Sequence, residues 1–193
     1  MAVPEDLERM RHSVVVEVEN HGRDIFPTVQ LVNSGILNPY DLILKLHTKK
    51  SPWREEHADL DGSGAAWKDQ FLSDLVGSRE KVEEILNAFA ADPTLGLVTA
   101  ADSIVGKEFW GGDQRIVEQL MLRIEMSIDP DELEFASGSM YWTRAFVLQG
   151  LRAFNLTSAD FDEEKGQVDA TTAHAIERIV GIVTDEAGLR TVE

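Results

Sequence analysis

Two short segments of the chain hold groups able to do chemistry: Glu19-Asn20-His21-Gly22-Arg23-Asp24, and Lys45-Leu46-His47-Thr48-Lys49-Lys50-Ser51. Each follows a run with strand character, so both are predicted at the carboxyl ends of strands, where open α/β sheets hold their ligands. Lys45, Lys49, Lys50 and Arg54 stand close together in a chain with only 18 Lys and Arg against 35 Asp and Glu. A basic cluster inside an acidic protein suits a small anion, and a diphosphate fits. The same residues suit equally a solvated loop whose charges pair with Glu55 and Glu56.

The elements that must position these groups follow from periodicity and turn chemistry. Residues 13–18, Ser-Val-Val-Val-Glu-Val, are β-branched and read as a strand, ended by Asn20-His21-Gly22. Residues 27–33 make a short helix with Pro27 in its first turn, broken by Gly35 and Asn38-Pro39. Residues 41–46 form an apolar run of strand length, as expected for a strand covered on both faces in a parallel sheet. Asp59 and Asp61 belong to a loop rather than an EF-hand, because the further oxygen ligands and the closing Glu are missing. Helices are predicted over 65–76 and 78–90; Ser78 caps the second, and Val82, Ile85, Leu86 and Phe89 form its apolar face. Residues 95–99 are a strand whose continuation reaches Asp102. Asp113 is expected to cap a helix to residue 128, with Ile116, Leu120 and Ile124 in register. A fourth strand over 133–136 ends in Ser137-Gly138-Ser139, and helices are predicted over 143–153 and 169–186. Strands alternating with helices give an α/β class and one domain over residues 1–193.

Composition narrows the partners. A net charge of −17 disfavours nucleic acid, which is drawn to dense Lys and Arg. No cysteine is present, so disulfides, thiolate nucleophiles and Cys-based zinc sites are excluded. No apolar run approaches the ~20 residues needed to span a bilayer. The first residues are polar and acidic rather than basic then apolar, so a cytoplasmic location is expected.

Four blocks in order carry a family resemblance: Glu19 to Asp24; Leu44-Lys45-Leu46-His47-Thr48-Lys49-Lys50-Ser51; Gly138-Ser139-Met140-Tyr141-Trp142-Thr143-Arg144; and Asp160-Phe161-Asp162-Glu163-Glu164 running through Gly166-Gln167-Val168-Asp169 to His174-Ala175-Ile176-Glu177-Arg178. Together they resemble the rhamnan synthesis F family of glycosyltransferase-like proteins. The resemblance implies a glycosyltransferase A-like open sheet flanked by helices, a nucleotide-sugar donor, expected to be dTDP-rhamnose, and a glycan acceptor. It also implies peripheral contact with a membrane-bound acceptor at the inner face of the membrane. Family members have more sheet before the first block, so the chain is expected to be N-terminally shortened. The family favours Gly after Asp169, where Ala170 stands; the change is expected to be mild, because Ala is the better helix former.

Under that resemblance Asn20, Gly22, Arg23, Asp24, His47, Lys49 and Lys50 are candidates for donor binding. The strand over 42–46 ends in His47-Thr48-Lys49 where many such enzymes carry a metal-binding Asp-x-Asp. Lys49, with Lys45, Lys50 or Arg54, is therefore expected to supply the positive charge that a divalent ion would offer the leaving diphosphate. No residue is assigned to a metal. Arg23 and Asp24 serve either the donor or a salt bridge that holds the turn. Asp169 is the candidate base for the acceptor hydroxyl, with Glu163 as runner-up; N-capping alone also explains Asp169. Gly138, Ser139, Trp142, His174 and Arg178 are acceptor-binding candidates, with Trp142 readable equally as core and the His174, Glu177, Arg178 helix face as a solvated one. The expected activity is transfer of rhamnose or a related deoxyhexose to a cell-surface polysaccharide precursor. The alternative is a non-catalytic glycan-binding or scaffolding remnant of such an enzyme.

Overall fold

The computed structural model describes residues 13–19, 21–48 and 64–193. Asn20, Lys49, Lys50, Arg54 and the Asp59-Asp61 loop lie outside them. Helix α1 (Ile25–Ser34) buries Ile25, Phe26, Val29 and Val32 and ends at Gly35, in the left-handed conformation. Strand β1 (Leu42–Lys45) follows, then helices α2 (Gly64–Val76) and α3 (Arg79–Ala91), the latter capped as expected by Ser78, whose side chain accepts from the Lys81 amide. Strand β2 (Leu95–Thr99) is buried along its whole length. Strand β3 (Ile104–Gly106), helix α4 (Gln114–Leu122), strand β4 (Glu134–Ala136) and strand β5 (Tyr141–Arg144) come next. Helix α5 (Ala145–Gly150), the long helix α6 (Thr172–Glu186) and strand β6 (Arg190–Val192) complete the order.

The class is α/β, but the sheet is mixed rather than parallel. Its order is β1-β5-β2-β6, with β5 antiparallel to both β1 and β2, and β6 parallel to β2; β3 and β4 form a separate antiparallel pair. Strand β1 therefore stands at an edge. Side chains alternate with the pleat: Ile43 and Tyr141 join the core under α1, α5 and α6, while Leu42, Leu44 and Trp142 face α2 and α3. On β2 the register shifts between Leu95 and Leu97, which sends Leu97 to one face and Leu95 with Val98 to the other.

Several sequence expectations are corrected. Residues 13–18 form no strand, and Val14 is 69% exposed; β-branched residues fit a pleated, half-buried surface, and without a neighbouring strand their propensity has nothing to fit. The helix expected over 143–153 begins later, because Tyr141-Trp142-Thr143 are aromatic and β-branched and form β5. The helix expected to run to residue 128 stops at Leu122, and the chain turns through Glu125 at φ 59°. Asp113 does not cap it with its side chain. Helix α6 begins at Thr172 with Thr171 as its cap, so Asp169 is not an N-cap and Ala170 is not helical. Ala170 instead has φ 56°, a left-handed position where helix propensity is irrelevant and Gly is favoured.

Helix α6 meets β4 at Gly181, where an added Cβ would lie 2.1 Å from the Glu134 carbonyl oxygen. Gly181→Ala is expected to destabilise the fold by about 2 kcal/mol through forced separation of helix and strand. Ala170→Gly is expected to act oppositely: relief of the left-handed strain, ~1–2 kcal/mol, exceeds the entropy added to the unfolded chain and leaves a gain of about 0.5 kcal/mol. Denaturant unfolding midpoints of the two variants and the parent chain check both signs.

Candidate functional site

The turn before α1 is built on Gly22. Its φ is 60°, and a Cβ there would come within 2.6 Å of Phe26 and Phe161. His21 packs edge-on against both rings, and its Nε2 lies 3.0 Å from the Ser158 carbonyl oxygen. The Gly22 carbonyl accepts from the Ile25 and Phe26 amides and so starts α1. Asp24 stands at the N-cap position, yet its side chain makes no capping bond. It points instead at the end of β1.

There Lys45 is only 7% exposed. A buried ammonium needs acceptors for its protons, and Lys45 Nζ finds Asp24 Oδ2 at 2.5 Å, the Ser139 carbonyl at 2.7 Å and Ser139 Oγ at 3.1 Å. Burial is the largest influence on Asp24 and pushes its carboxyl up, but Lys45 and His47 together outweigh it and hold the group below the usual range. Gly138 and Ser139 reach this position through a turn with φ 87° and 55°. The Gly138 amide donates to Glu177 Oε1 at 2.8 Å, and its carbonyl oxygen lies 3.0 Å from His47 Nε2. His47 Nε2 is also 3.7 Å from Asp24 Oδ2. Tyr141 lies beneath this cluster, with Lys45 Nζ 5.8 Å from its ring centroid. Burial, helped by the Asp24 and Glu177 charges, pushes its phenol well above its ordinary range.

The remaining candidates gather around α6. His174 Nδ1 lies 2.8 Å from Thr171 Oγ1. Burial, reinforced by the Arg23 and Arg178 charges, lowers its pKa from an ordinary 6.5 to about 4, so the imidazole is neutral at pH 7. Arg178 is turned inward: it donates to the Phe109 carbonyl at 2.7 Å and the His174 carbonyl at 2.9 Å, stands over the Phe135 ring at 4.6 Å, and faces Asp113 Oδ2 at 3.2 Å. Asp113 is fully buried, and burial raises its pKa against the opposing pull of Arg178. Asp169 Oδ2 accepts from the Gly112 amide at 3.0 Å.

Arg23 ties the first turn to the loop after Phe161. Its amide donates to Glu164 Oε1 at 3.1 Å, and its guanidinium donates to the Gln167 carbonyl. Glu163 points outward and pairs with Lys165 at 2.9 Å. The crevice between Gly22, Arg23, Glu163, Glu164, Gln167 and Thr171 has no room for a water-sized group.

The fold thus brings Gly22, Asp24, His47, Gly138 and Ser139 together at the carboxyl end of β1, with Arg23 and His174 beside them. It places Trp142 elsewhere: its Nε1 donates to the Leu75 carbonyl at 3.0 Å, on the α2–α3 face of the sheet. Arg178 is held inside the fold, and Asp169 is tied to the Gly111-Gly112 turn. Among the described residues no three His, Asp or Glu side chains converge as a metal site. Two residues of the cluster were given no binding or catalytic role from sequence. Glu177 sits on the helix face recognised through His174 and Arg178, and Tyr141 lies within the Gly138 to Arg144 block, but only the fold shows that both point at Ser139 and its neighbours.

A sequence profile of the family described as "Rhamnan synthesis protein F" matches residues 2–189. Two curated relatives, each described as "Uncharacterized protein WxcX", from two strains of Xanthomonas campestris pv. campestris, are 39% identical over 184 residues. The match covers 93% of this chain and 25% of each relative, so the chain spans about a quarter of their length. No solved structure matches the chain at a significant level.

Lys45→Met is expected to destabilise the fold by about 3 kcal/mol, because it leaves the Asp24 carboxylate half-buried without its partner. Adding Asp24→Asn is expected to cost far less than the two single losses summed, and a double-mutant cycle in denaturant reads the difference. His174 gives a pH signature. Its folded pKa lies below its unfolded value, so the unfolded chain binds the extra proton between about pH 6.5 and 4, and stability falls as pH drops through that window. Unfolding midpoints measured from pH 7 to 4 are expected to fall less steeply in His174→Gln.

Proposed function

This chain belongs to the rhamnan synthesis protein F family, and from that premise we propose that it is a glycosyl-transfer domain of polysaccharide synthesis. It adopts a glycosyltransferase A-like arrangement and moves rhamnose or a related deoxyhexose from a nucleotide-sugar donor, dTDP-rhamnose, to a growing glycan. The observation that carries this reading is the convergence of three distant segments, Gly22 to Asp24, Lys45 to His47 and Gly138-Ser139, at the carboxyl end of β1. That is where an open α/β sheet holds its ligand.

Lys45 has all its protons engaged and acts as a positioning residue that holds Asp24 and the Ser139 turn, so charge for the leaving diphosphate falls to Lys49, Lys50 and Arg54. His47 stands at the rim of the same mouth. Neutral His174 can accept a hydrogen bond from an acceptor hydroxyl. Asp169 remains the proposed base, with Glu163, exposed at the crevice beside Arg23, as the alternative. A second reading is a glycan-binding module without transfer activity. The closed crevice beside Arg23 favours it.

Calorimetric titration of the 193-residue chain with dTDP-rhamnose, with and without magnesium, separates the two. Transfer predicts saturable binding that weakens at least about ten-fold in Lys49→Ala and in His47→Ala. Absence of donor binding by the folded chain supports the module reading.

A further inference from the structure

At the opposite end of β1 lies an open groove of about 640 Å³. It is bounded by Tyr40 and Asp41 before β1, Leu86 on α3, Arg144 at the end of β5, and Phe146 and Gln149 on α5. Lys45 is four residues from Asp41, about 13 Å along the strand, so the groove and the Asp24–Lys45–Ser139 cluster occupy different ends of the sheet.

The lining selects a ligand class. Tyr40 is 58% exposed and Phe146 51% exposed, and Leu86 adds a further half-covered apolar surface. Burial of large aromatic faces is strongly favourable, and leaving two on one concavity is an unmet opportunity for contact. Between them stand polar groups without assigned work: no hydrogen bond or ion pair is made by the Tyr40 hydroxyl, the Asp41 carboxylate or the Gln149 amide among the described residues. Among the described residues Arg144 is the one cation lining the groove, and its guanidinium donates to the carbonyls of Leu95, Phe89 and Asp92 at 2.7, 3.0 and 2.9 Å. A phosphate or carboxylate ligand would therefore meet a guanidinium with three of its five N–H groups already committed to carbonyls, and would face the Asp41 carboxylate, which offsets that charge. A purely apolar segment would bury the Asp41 carboxylate and the Gln149 amide without partners. The ligand that satisfies both restrictions is neutral, presents C–H faces to aromatic rings and carries hydroxyls for a carboxylate and an amide. That is a saccharide. A volume of this order is that of a small-ligand cleft, and the groove is open to solvent.

We propose that this groove is a subsite for a stretch of neutral glycan, remote from the sugar-transfer mouth, with Tyr40 and Phe146 stacking on the sugar faces and Asp41 and Gln149 accepting and donating hydrogen bonds to hydroxyls. It deepens the glycosyl-transfer reading by giving the acceptor a second hold, away from the end being extended, and it needs no donor to be occupied.

The test is titration of the 193-residue chain with a linear rhamnan hexasaccharide, followed by amide shifts in NMR and by calorimetry. Tyr40→Ala and Phe146→Ala are each expected to weaken binding about five- to ten-fold. Both side chains are exposed, so melting temperature and the dTDP-rhamnose titration are expected to stay at parent values; Tyr40→Phe separates ring from hydroxyl. The proposal is overturned if the hexasaccharide does not bind, or binds equally to both alanine variants. It is also overturned if sedimentation shows that the two substitutions break a dimer, which would make the groove an interface between copies. Hexasaccharide binding that depends on Tyr40 and Phe146 while dTDP-rhamnose fails to bind would keep the groove and remove the transfer reading, so the two failures are distinguishable.

Discussion

A lysine ammonium taken out of water needs acceptors for its N–H groups, and Lys45 has three. Its acceptors come from two segments far from it in sequence, Asp24 before α1 and Ser139 before β5. One side chain therefore sets the separation of three segments that carry the family's motifs. Asp24 is drawn away from capping α1, Ser139 is held in a left-handed conformation, and His47, two residues on, is brought to the Gly138 carbonyl. Tyr141 is sealed beneath them. The cluster is rigid for an electrostatic reason: any movement of one partner exposes a charge to an apolar surrounding.

Helix α6 is the second organiser. Its first turn is capped by Thr171, and along one side it presents His174, Glu177 and Arg178, each reaching a different segment: the Thr171 hydroxyl, the Gly138 amide, and the Phe109 carbonyl with buried Asp113. Gly181, one turn further, lets the helix lie directly on β4. Charge at the front of the helix and absence of a side chain at its middle are thus two parts of one arrangement. The close contact at Gly181 fixes the depth at which Glu177 and Arg178 work.

The mixed sheet gives the molecule two distinct ends. At the carboxyl end of β1 the groups are charged, mutually satisfied and tightly held. At the amino end Tyr40, Asp41, Phe146 and Gln149 offer aromatic faces and polar groups that make no side-chain hydrogen bond among the described residues, set around open space.

Local signals were sufficient for elements whose boundaries are made by neighbouring residues. Ser78 and the Ile85–Phe89 spacing marked α3, the five residues of β2 read as a strand, and the four motif blocks pointed to the family that the profile match establishes. Strand 13–18 and the parallel sheet failed because a ladder depends on a partner that local sequence does not name. The role of Ala170 was misread because a φ of 56° is imposed by the Gly111-Gly112 turn packed against it, not by its own propensity. Site residues divide in the same way. Sequence by itself determined which residue types stand near the strand ends, Lys45, His47, Gly138 and Ser139, whereas Gly22 and Asp24 follow no strand of their own and reach the end of β1 only through the fold. Only the tertiary structure decided which way each side chain points, placing Lys45 and Arg178 inward and Trp142 on the far face. The reason is that direction is set by partners such as Ser139 for Lys45 and Phe109 for Arg178, 94 and 69 residues away, whose positions exist only once the chain has closed on itself.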